Sequence, residues 1–552
     1  MIVKHGNGYN SWIVNLFVVI FLGVILHIYM PNLGGAGLSL PINIISCCSV
    51  ALFIVVMSGS QLNKNNFHYS VASQWISIGL IILIVLCFLS PATYRYSAYL
   101  IAAWIVGALI FYCLLLQVNI TEVGYEIILW SIIFSAIVES ILAFLQVFDS
   151  LPLIRFSYPS LSGDRPYGIF QQVNVFSSFI CIGVASALGL IIKLNNKSQN
   201  KKIMIGISLI LMSSVLPLSQ SLTGYLSLFL IVIAFFVFSK NNRKEITFLF
   251  LFVIIGLVIG YGIKIGLNIS DVSETKLQTS HIRWVLWQHS LYLFSDHFFL
   301  GTGIGSFESV FLETYGGELM GIGRKTMSHP HNEILRWMVE GGIIGLIGIL
   351  FIIIGGIHLS LSSIKNNNYI YLIIAFPIVF HIMTEFPLWL STPHGVILML
   401  LLRCADNPMK NYVFYKPLAI VLNSGIVIFG FCSMILLYMA LQGQQYLTYI
   451  EKTGQQKIIS MMKSDSNKWN YALIYDRYNY DLNMGNLLLY NENQDDNYLK
   501  SFDHWAEEYS KVYSDANVYF SWYLVLNELG EKEKAKEVHK KAKRFFVKDE
   551  RF

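Results

Sequence analysis

The chain has 552 residues, of which 55% are hydrophobic and only 13% charged, and its mean hydropathy is +0.57. That composition excludes an ordinary soluble protein of this size, and the continuous apolar runs exclude a β-barrel, whose strands alternate. The net charge of +5 is spread over short loops instead of forming a patch, so it is no nucleic-acid signature. The predicted fold class is all-α: a polytopic helical membrane protein with about thirteen transmembrane helices, a large outer loop and a C-terminal helical soluble region.

In chain order the apolar runs fall at 12–29, 41–58, 73–90, 97–117, 125–146, 173–193, 203–217, 224–239, 246–266, 334–357, 369–385, 388–402 and 418–441. Lys4 precedes the first run, but no small-residue cleavage site follows, so the run reads as a retained span. Of the seven cysteines only Cys404 is not inside such a run, and it ends one, so no structural disulfide is predicted. Lys64, Lys197, Lys201, Lys202, Lys240, Arg243, Lys244, Lys365, Arg403, Lys410 and Lys416 occupy the even-numbered loops. The positive-inside rule places those loops in the cytoplasm and the long loops 147–172 and 267–333 outside. Residues 1–441 then form the membrane domain. Residues 442–552 form a soluble tail, also outside, ending in a tetratricopeptide-like hairpin at 515–546 that turns at Gly530.

The outer loops carry the ionisable residues. The first has Asp164-Arg165-Pro166-Tyr167-Gly168, then Gln171-Gln172-Val173-Asn174. The second has His281-Ile282-Arg283-Trp284, the turn Gly301-Thr302-Gly303-Ile304-Gly305, then Arg324 and Ser328-His329-Pro330-His331-Asn332-Glu333. Arginines outside run against the orientation bias, and a guanidinium grips phosphate with two parallel hydrogen bonds. Pairing with Asp164 or with lipid headgroups is the plainer role for any one of them. A histidine at a loop–helix junction suits proton transfer near neutral pH; capping the following helix is the plainer alternative, and Asn332 and Glu333 suit that helix start too. His329 and His331 have no Asp or Cys at ligand spacing, so no metal and no cofactor is predicted. The glycine turn lacks the Lys-Ser/Thr ending of a phosphate loop. Gly341, Gly342 and Gly345 read as small residues for close helix packing. His381 and Glu385 share a helix face near its outer end, where a structural ion pair is the ordinary outcome.

Together these motifs resemble the superfamily of bacterial O-antigen ligases, O-antigen polymerases and protein O-oligosaccharyltransferases. The resemblance rests on Arg165-x-x-Gly168 leading to Asn174, on Arg283-x-x-x-Trp287 running into the glycine turn, and on His331-Asn332-x-x-Leu335 before Glu340-x-Gly342. The segment His381-x-x-x-Glu385-Phe386-Pro387-Leu388-Trp389 and the soluble tail are similar to the PglL-type, protein-glycosylating branch. Two positions depart from that branch: Val173 stands where it usually has proline, and Leu222 where it often has arginine.

The resemblance implies an enzyme of the bacterial inner membrane with its site on the periplasmic side. It would transfer a preassembled glycan from undecaprenyl diphosphate to a Ser/Thr hydroxyl of a periplasmic or pilin-like protein, in one inverting displacement. The expected catalytic residues are His331 and Asn332. Arg165, Arg283 and Arg324 would bind the donor diphosphate, with His329, His381, Glu385 and Asn174 in support. The expected partners are the lipid-linked oligosaccharide, the acceptor protein and the bilayer. An O-antigen ligase or polymerase, with a lipid A-core or glycan acceptor, would use the same chemistry. A non-catalytic lipid-linked glycan transporter would show mid-membrane charges and internal repeats, and neither is evident.

Overall fold

The computed structural model describes residues 11–148, 165–193, 199–319, 328–408, 410–453 and 468–552. Among the described residues, thirteen apolar helices stand at the predicted places. Nine are long and apolar enough to cross a bilayer, and four are shorter: Ser11–His27, Leu222–Phe238, Tyr369–Ile382 and Thr392–Ala405. The helix of the 369–385 run stops at Ile382 and that of the 388–402 run starts only at Thr392, for a local reason. Glu385 and Pro387 interrupt the helix, and a single turn, Pro387–Leu390, links the two short pieces. The last span is longer than its apolar run and continues as Lys416–Thr453.

The chain divides into two compact units. The first comprises Met1–Ile76, Gly107–Glu274 and Ile354–Tyr438. Its helices are α1 (Ser11–Gly23), α2 (Pro41–Gln61), the start of α3 (Val71–Phe88), the end of α4 (Arg95–Leu116), α5 (Glu122–Phe148), α6 (Val173–Lys193), α7 (Gln199–Ser219), α8 (Leu222–Phe238), α9 (Arg243–Gly266), the end of α12 (Glu333–Lys365), α13 (Tyr369–Ile382), α14 (Pro387–Leu390), α15 (Thr392–Ala405) and most of α16 (Lys416–Thr453). α6 is its axis, with 94% of its apolar window buried. A helix apolar on all sides must be enclosed by others, and α5, α7, α8 and α13 surround it. A short two-stranded sheet accompanies the helices of this all-α fold. β1 (Asn66–Tyr69) and β2 (Lys410–Val413) pair antiparallel, with Phe67 opposite Tyr412.

The second unit comprises Ser77–Val106, Thr275–Ile353 and Met439–Phe552. It contains α10 (Ser273–Asp296), α11 (Phe307–Leu319) and the start of α12, followed by α17 (Tyr475–Asn493), α18 (Asp496–Tyr509), α19 (Ala516–Glu528) and α20 (Lys532–Phe545). The predicted hairpin is α19–α20. Asp515 caps α19 by accepting from Asn517 and Val518 N–H, and Gly530 turns the chain at φ 79°. A second hairpin, α17–α18, precedes it, with Asp495 as the cap of α18. Leu312 of α11 is buried in the same cluster as Phe502, Tyr519 and Phe545, and Lys541 pairs with Glu313 at 2.6 Å. The tail and α11 therefore pack around one core.

Candidate functional site

In the second unit the His–Asn segment is held from three directions. Ile282, Leu286 and Leu293 on one face of α10 pack with Phe307 and Phe311 of α11 and Val339 of α12. From that helix the Trp287 indole donates to the Pro330 carbonyl at 3.0 Å. Arg283 lies one turn before Trp287 on α10 and is half-buried. His329 is buried, and its Nδ1 accepts the backbone N–H of His331 at 2.8 Å. The ring hydrogen therefore sits on Nε2, which faces Glu333 Oε1 at 3.3 Å. Burial holds the His329 imidazole below its ordinary pKa, opposed by Glu333. His331 itself is half-buried and takes a left-handed backbone, φ 56°. Asn332 Oδ1 accepts the Leu335 N–H at 3.1 Å, so Asn332 caps the helix.

A relay of charges continues from Glu333. Its Oε2 lies 3.7 Å from Arg336 Nη1, and Arg336 Nε donates to Glu340 Oε2 at 3.2 Å. The other Glu340 oxygen accepts the N–H of Phe307, the first residue of α11, at 3.2 Å. Glu340 and Gly342 mark a break in α12, where Gly342 has φ 58° and ψ −150°. The glycine turn docks there: Thr302 N–H donates to Val339 O, Gly303 N–H to Glu340 O, and Ile343 N–H to Phe298 O. A side chain on Gly342 would strike the backbone of Phe298, Phe299 and Gly301. Gly341 does approach Leu86, as a packing glycine should. Gly342 acts differently, opening the helix so that the backbone of the turn can bond to it.

In the first unit α5 shapes the Arg165 loop. Gln146 Oε1 accepts both the Tyr167 and Gly168 N–H groups at 3.0 Å, and its amide donates to Gly168 O at 2.8 Å. Two turns earlier on the same helix face lies Glu139, fully buried, which accepts the Ile169 N–H at 2.9 Å and pairs with His27 at 2.9 Å. Gly168 has φ 58°, and a Cβ there would collide with the Glu139 carboxylate. Arg165 leads into this turn half-buried, and desolvation lowers its pKa.

The chain then enters α6 through a buried polar network. Glu385 accepts from the Gln172 amide at 2.9 Å and the Asn174 amide at 2.8 Å, and lies 3.2 Å from His381 Nε2. Ser178 joins His381 at 3.0 Å to His394 at 3.1 Å, and His394 reaches Ser391 at 2.9 Å. Asn174 Oδ1 accepts the Ser221 hydroxyl at 2.7 Å, and Ser221 caps α8. Val173, at the first departure from the branch, is the buried first residue of α6. Leu222, at the second, is 48% exposed as the first residue of α8.

Of the predicted site residues, the structure gathers His329, His331 and Asn332 beside the helix that carries Arg283. It gathers Asn174, His381 and Glu385 into one network. Arg324 lies outside the described residues. Sequence reasoning missed His394 and Ser178, which complete that network, and Glu139 and Gln146, which hold the Arg165 loop. A lone glutamate within an apolar run was the available signal. It also missed the Arg336–Glu340 pair, whose spacing of four residues on a helix was visible. Among the described residues no three His, Cys, Asp or Glu side chains gather as a metal site.

Three separate stretches of the chain match families of known proteins. Residues 166–190, the pinned turn and the start of α6, match the protein glycosylation ligase family. Residues 207–350, with Arg283, the glycine turn and the His–Asn segment, match the O-antigen ligase family. Residues 370–552 match a family described as virulence factor membrane-bound polymerase, C-terminal. No curated protein sequence matches the chain.

Proposed function

We propose that the chain is a member of the O-antigen ligase superfamily, in its protein-glycosylation branch, and that it moves a preassembled glycan from undecaprenyl diphosphate to a serine or threonine hydroxyl of a periplasmic, pilin-like protein. At the coarser level it is a multi-pass membrane enzyme that transfers glycan from a lipid-linked donor to a protein or lipid acceptor. The match of residues 166–190 to the protein glycosylation ligase family supports the protein acceptor, and the observation that carries the proposed chemistry is the placement of His331. It stands at a loop–helix junction, with its backbone fixed by His329 and the next helix turn fixed by Asn332.

In the proposed step the acceptor oxygen attacks the anomeric carbon on the face opposite the diphosphate. The new C–O bond forms as the bond to the diphosphate oxygen breaks, and His331 takes the hydroxyl proton. A positioned base of this kind contributes about 10²–10⁴-fold. Arg283 is the proposed diphosphate contact on α10, and Arg165 a second donor contact. Asn332 serves the helix start, and His329 serves His331. The periplasm is the proposed side for the 267–333 loop, and the tail that packs with it follows. An alkaline phosphatase fused after Phe552 is therefore expected to be active; a fusion working only as a cytoplasmic reporter rejects the placement.

The deciding experiment compares donor binding with transfer in His331→Ala. Binding of lipid-linked glycan retained with transfer near background supports the base. Transfer near the wild-type rate rejects it. The match of residues 370–552 to a polymerase family favours a second reading, in which the acceptor is a glycan or lipid A-core. Cells lacking the gene separate the two: loss of pilin glycosylation supports the protein acceptor, and loss of capped or polymerised lipopolysaccharide supports the other.

A further inference from the structure

The first unit contains a polar cavity that the transfer reaction does not use. It measures 270 Å³ and is lined by Gln61, Asn63, Lys64, Asn65, Asn66, His68 and Gln117. We propose that this cavity binds a phosphate group, supplied by an anionic phospholipid headgroup of the leaflet on that face. The inference is independent of the glycan-transfer reading.

Four observations carry it. First, the lining is made of donors and one cation, with no carboxylate among the lining residues. Lys64 makes no ion pair among the described residues, so its ammonium is available to an oxyanion. Second, Gln61 is only 6% exposed, yet its amide nitrogen reaches no hydrogen-bond partner among the described residues. A buried donor left unmade costs about 1–3 kcal/mol, and an acceptor in the cavity removes that cost. The Gln61 carbonyl meanwhile is fixed by Asn423, so the residue is held in place.

Third, the cavity is a built feature. Successive strand residues point to opposite faces, so Asn66 and His68 share the cavity face of β1. Phe67 lies on the other face, with its ring 6.2 Å from that of Phe414. Gln117 clamps the strand by accepting the His68 N–H at 2.8 Å and donating to His68 O at 3.0 Å. Fourth, the cavity lies at the ends of apolar helices long enough to span a bilayer, where headgroups would stand. Gln61 is the last residue of the α2 span, Gln117 follows the last residue of α4, and the α3 span begins at Val71. The neighbouring strand exposes Tyr412 and Val413, and Tyr415 follows it, 76% exposed. Tyrosines of this kind mark the membrane–water boundary. Lys64 belongs to the loops expected on the cytoplasmic side, where anionic lipids attract basic residues.

The test uses the full chain purified in detergent and stripped of lipid. Phosphatidylglycerol, diacylglycerol and inorganic phosphate are each added, and Tm and retained mass in native mass spectrometry are read. Phosphatidylglycerol is expected to raise Tm and to remain bound, with about tenfold weaker retention in Lys64→Ala, a charge-assisted contact, and in Gln61→Leu. Diacylglycerol is expected to do neither. Equal effects of diacylglycerol, equal retention by both variants, or no effect of either phosphate source overturns the proposal. A Tm rise with inorganic phosphate that both variants abolish supports the phosphate site and identifies free phosphate as a competing occupant. Lys64 is exposed, so Lys64→Ala tests the site even if Gln61→Leu fails to fold.

Discussion

The Nδ1 of His329 accepts the backbone N–H of His331 at 2.8 Å. This bond fixes the tautomer of one histidine and the backbone of the other. His329 is thereby proposed as a positioning residue for His331, the proposed base. Replacing His329 with alanine is expected to lower transfer about tenfold to a hundredfold, the effect of losing a buried hydrogen-bonded group of about 1.5–3 kcal/mol. Gln, whose carbonyl can accept the same N–H, should restore part of it. If His329→Ala and His329→Gln behave alike, the bond is not what matters.

The same histidine gives a pH dependence. Burial lowers its folded pKa below the ordinary 6.5. The unfolded chain then binds the proton more readily, so the stability that His329 contributes is complete above 6.5 and is lost as pH falls toward the folded value. Thermal unfolding between pH 7.5 and about 5.5 should show a falling Tm in the wild type and a flatter profile in His329→Gln. Parallel profiles would remove the assignment.

Arg283 and Arg165 are tested by charge-preserving substitution. Each alanine variant is expected to lose about tenfold to a hundredfold in transfer, and lysine should recover little, because it keeps the charge without the planar fork. Full activity of Arg283→Ala at normal expression would remove it from the donor site, and the same holds separately for Arg165.

Gly342 is predicted to tolerate no side chain. Its φ of 58° and the backbone of Phe298, Phe299 and Gly301 both oppose a Cβ. Strained backbone of this kind costs about 1–3 kcal/mol before any collision is counted. Gly342→Ala should reduce folded yield or Tm and detach the glycine turn. Gly356→Ala, on the same helix with nothing within 4 Å of the new atom, is the control and should be neutral or slightly stabilising. Equal behaviour of the two would contradict the docking.

Glu308 on α11 is half-buried against the tail, where it accepts the Ser514 N–H at 3.2 Å. Burial, reinforced by Asp515, pushes its carboxyl up to about 7. Here the folded state holds the proton more tightly. The contribution is complete below the ordinary 4.5 and is lost as pH rises through about 7. Protection factors in residues 496–545, which remove the base catalysis of exchange itself, should fall above pH 7 in the wild type, and Glu308→Gln should suppress the change. Protection factors independent of pH in the wild type would refute it.

What the sequence determined by itself was set by local chemistry. Apolar runs of spanning length fix helices because a bilayer leaves backbone groups no other partner, and they placed thirteen apolar helices without reference to any contact. The Asp515 cap and the Gly530 turn are local for the same reason, and so the terminal hairpin was legible. The motif residues from Arg165 to Glu340 could be recognised by order and spacing. What each of them does could not, because it depends on a partner far along the chain. Gly168 is required by Glu139, Gly342 by the Gly301–Gly303 backbone, and Asn174 by Glu385. The polar network at Glu385 needed His394 and Ser178, which are ordinary residues in apolar helices until α6, α13 and α15 pack together. The tail was separated from the loop by composition, yet Leu312 and Phe545 share a core. Burial and long-range hydrogen bonds decide such pairings, and they exist only once the chain has folded.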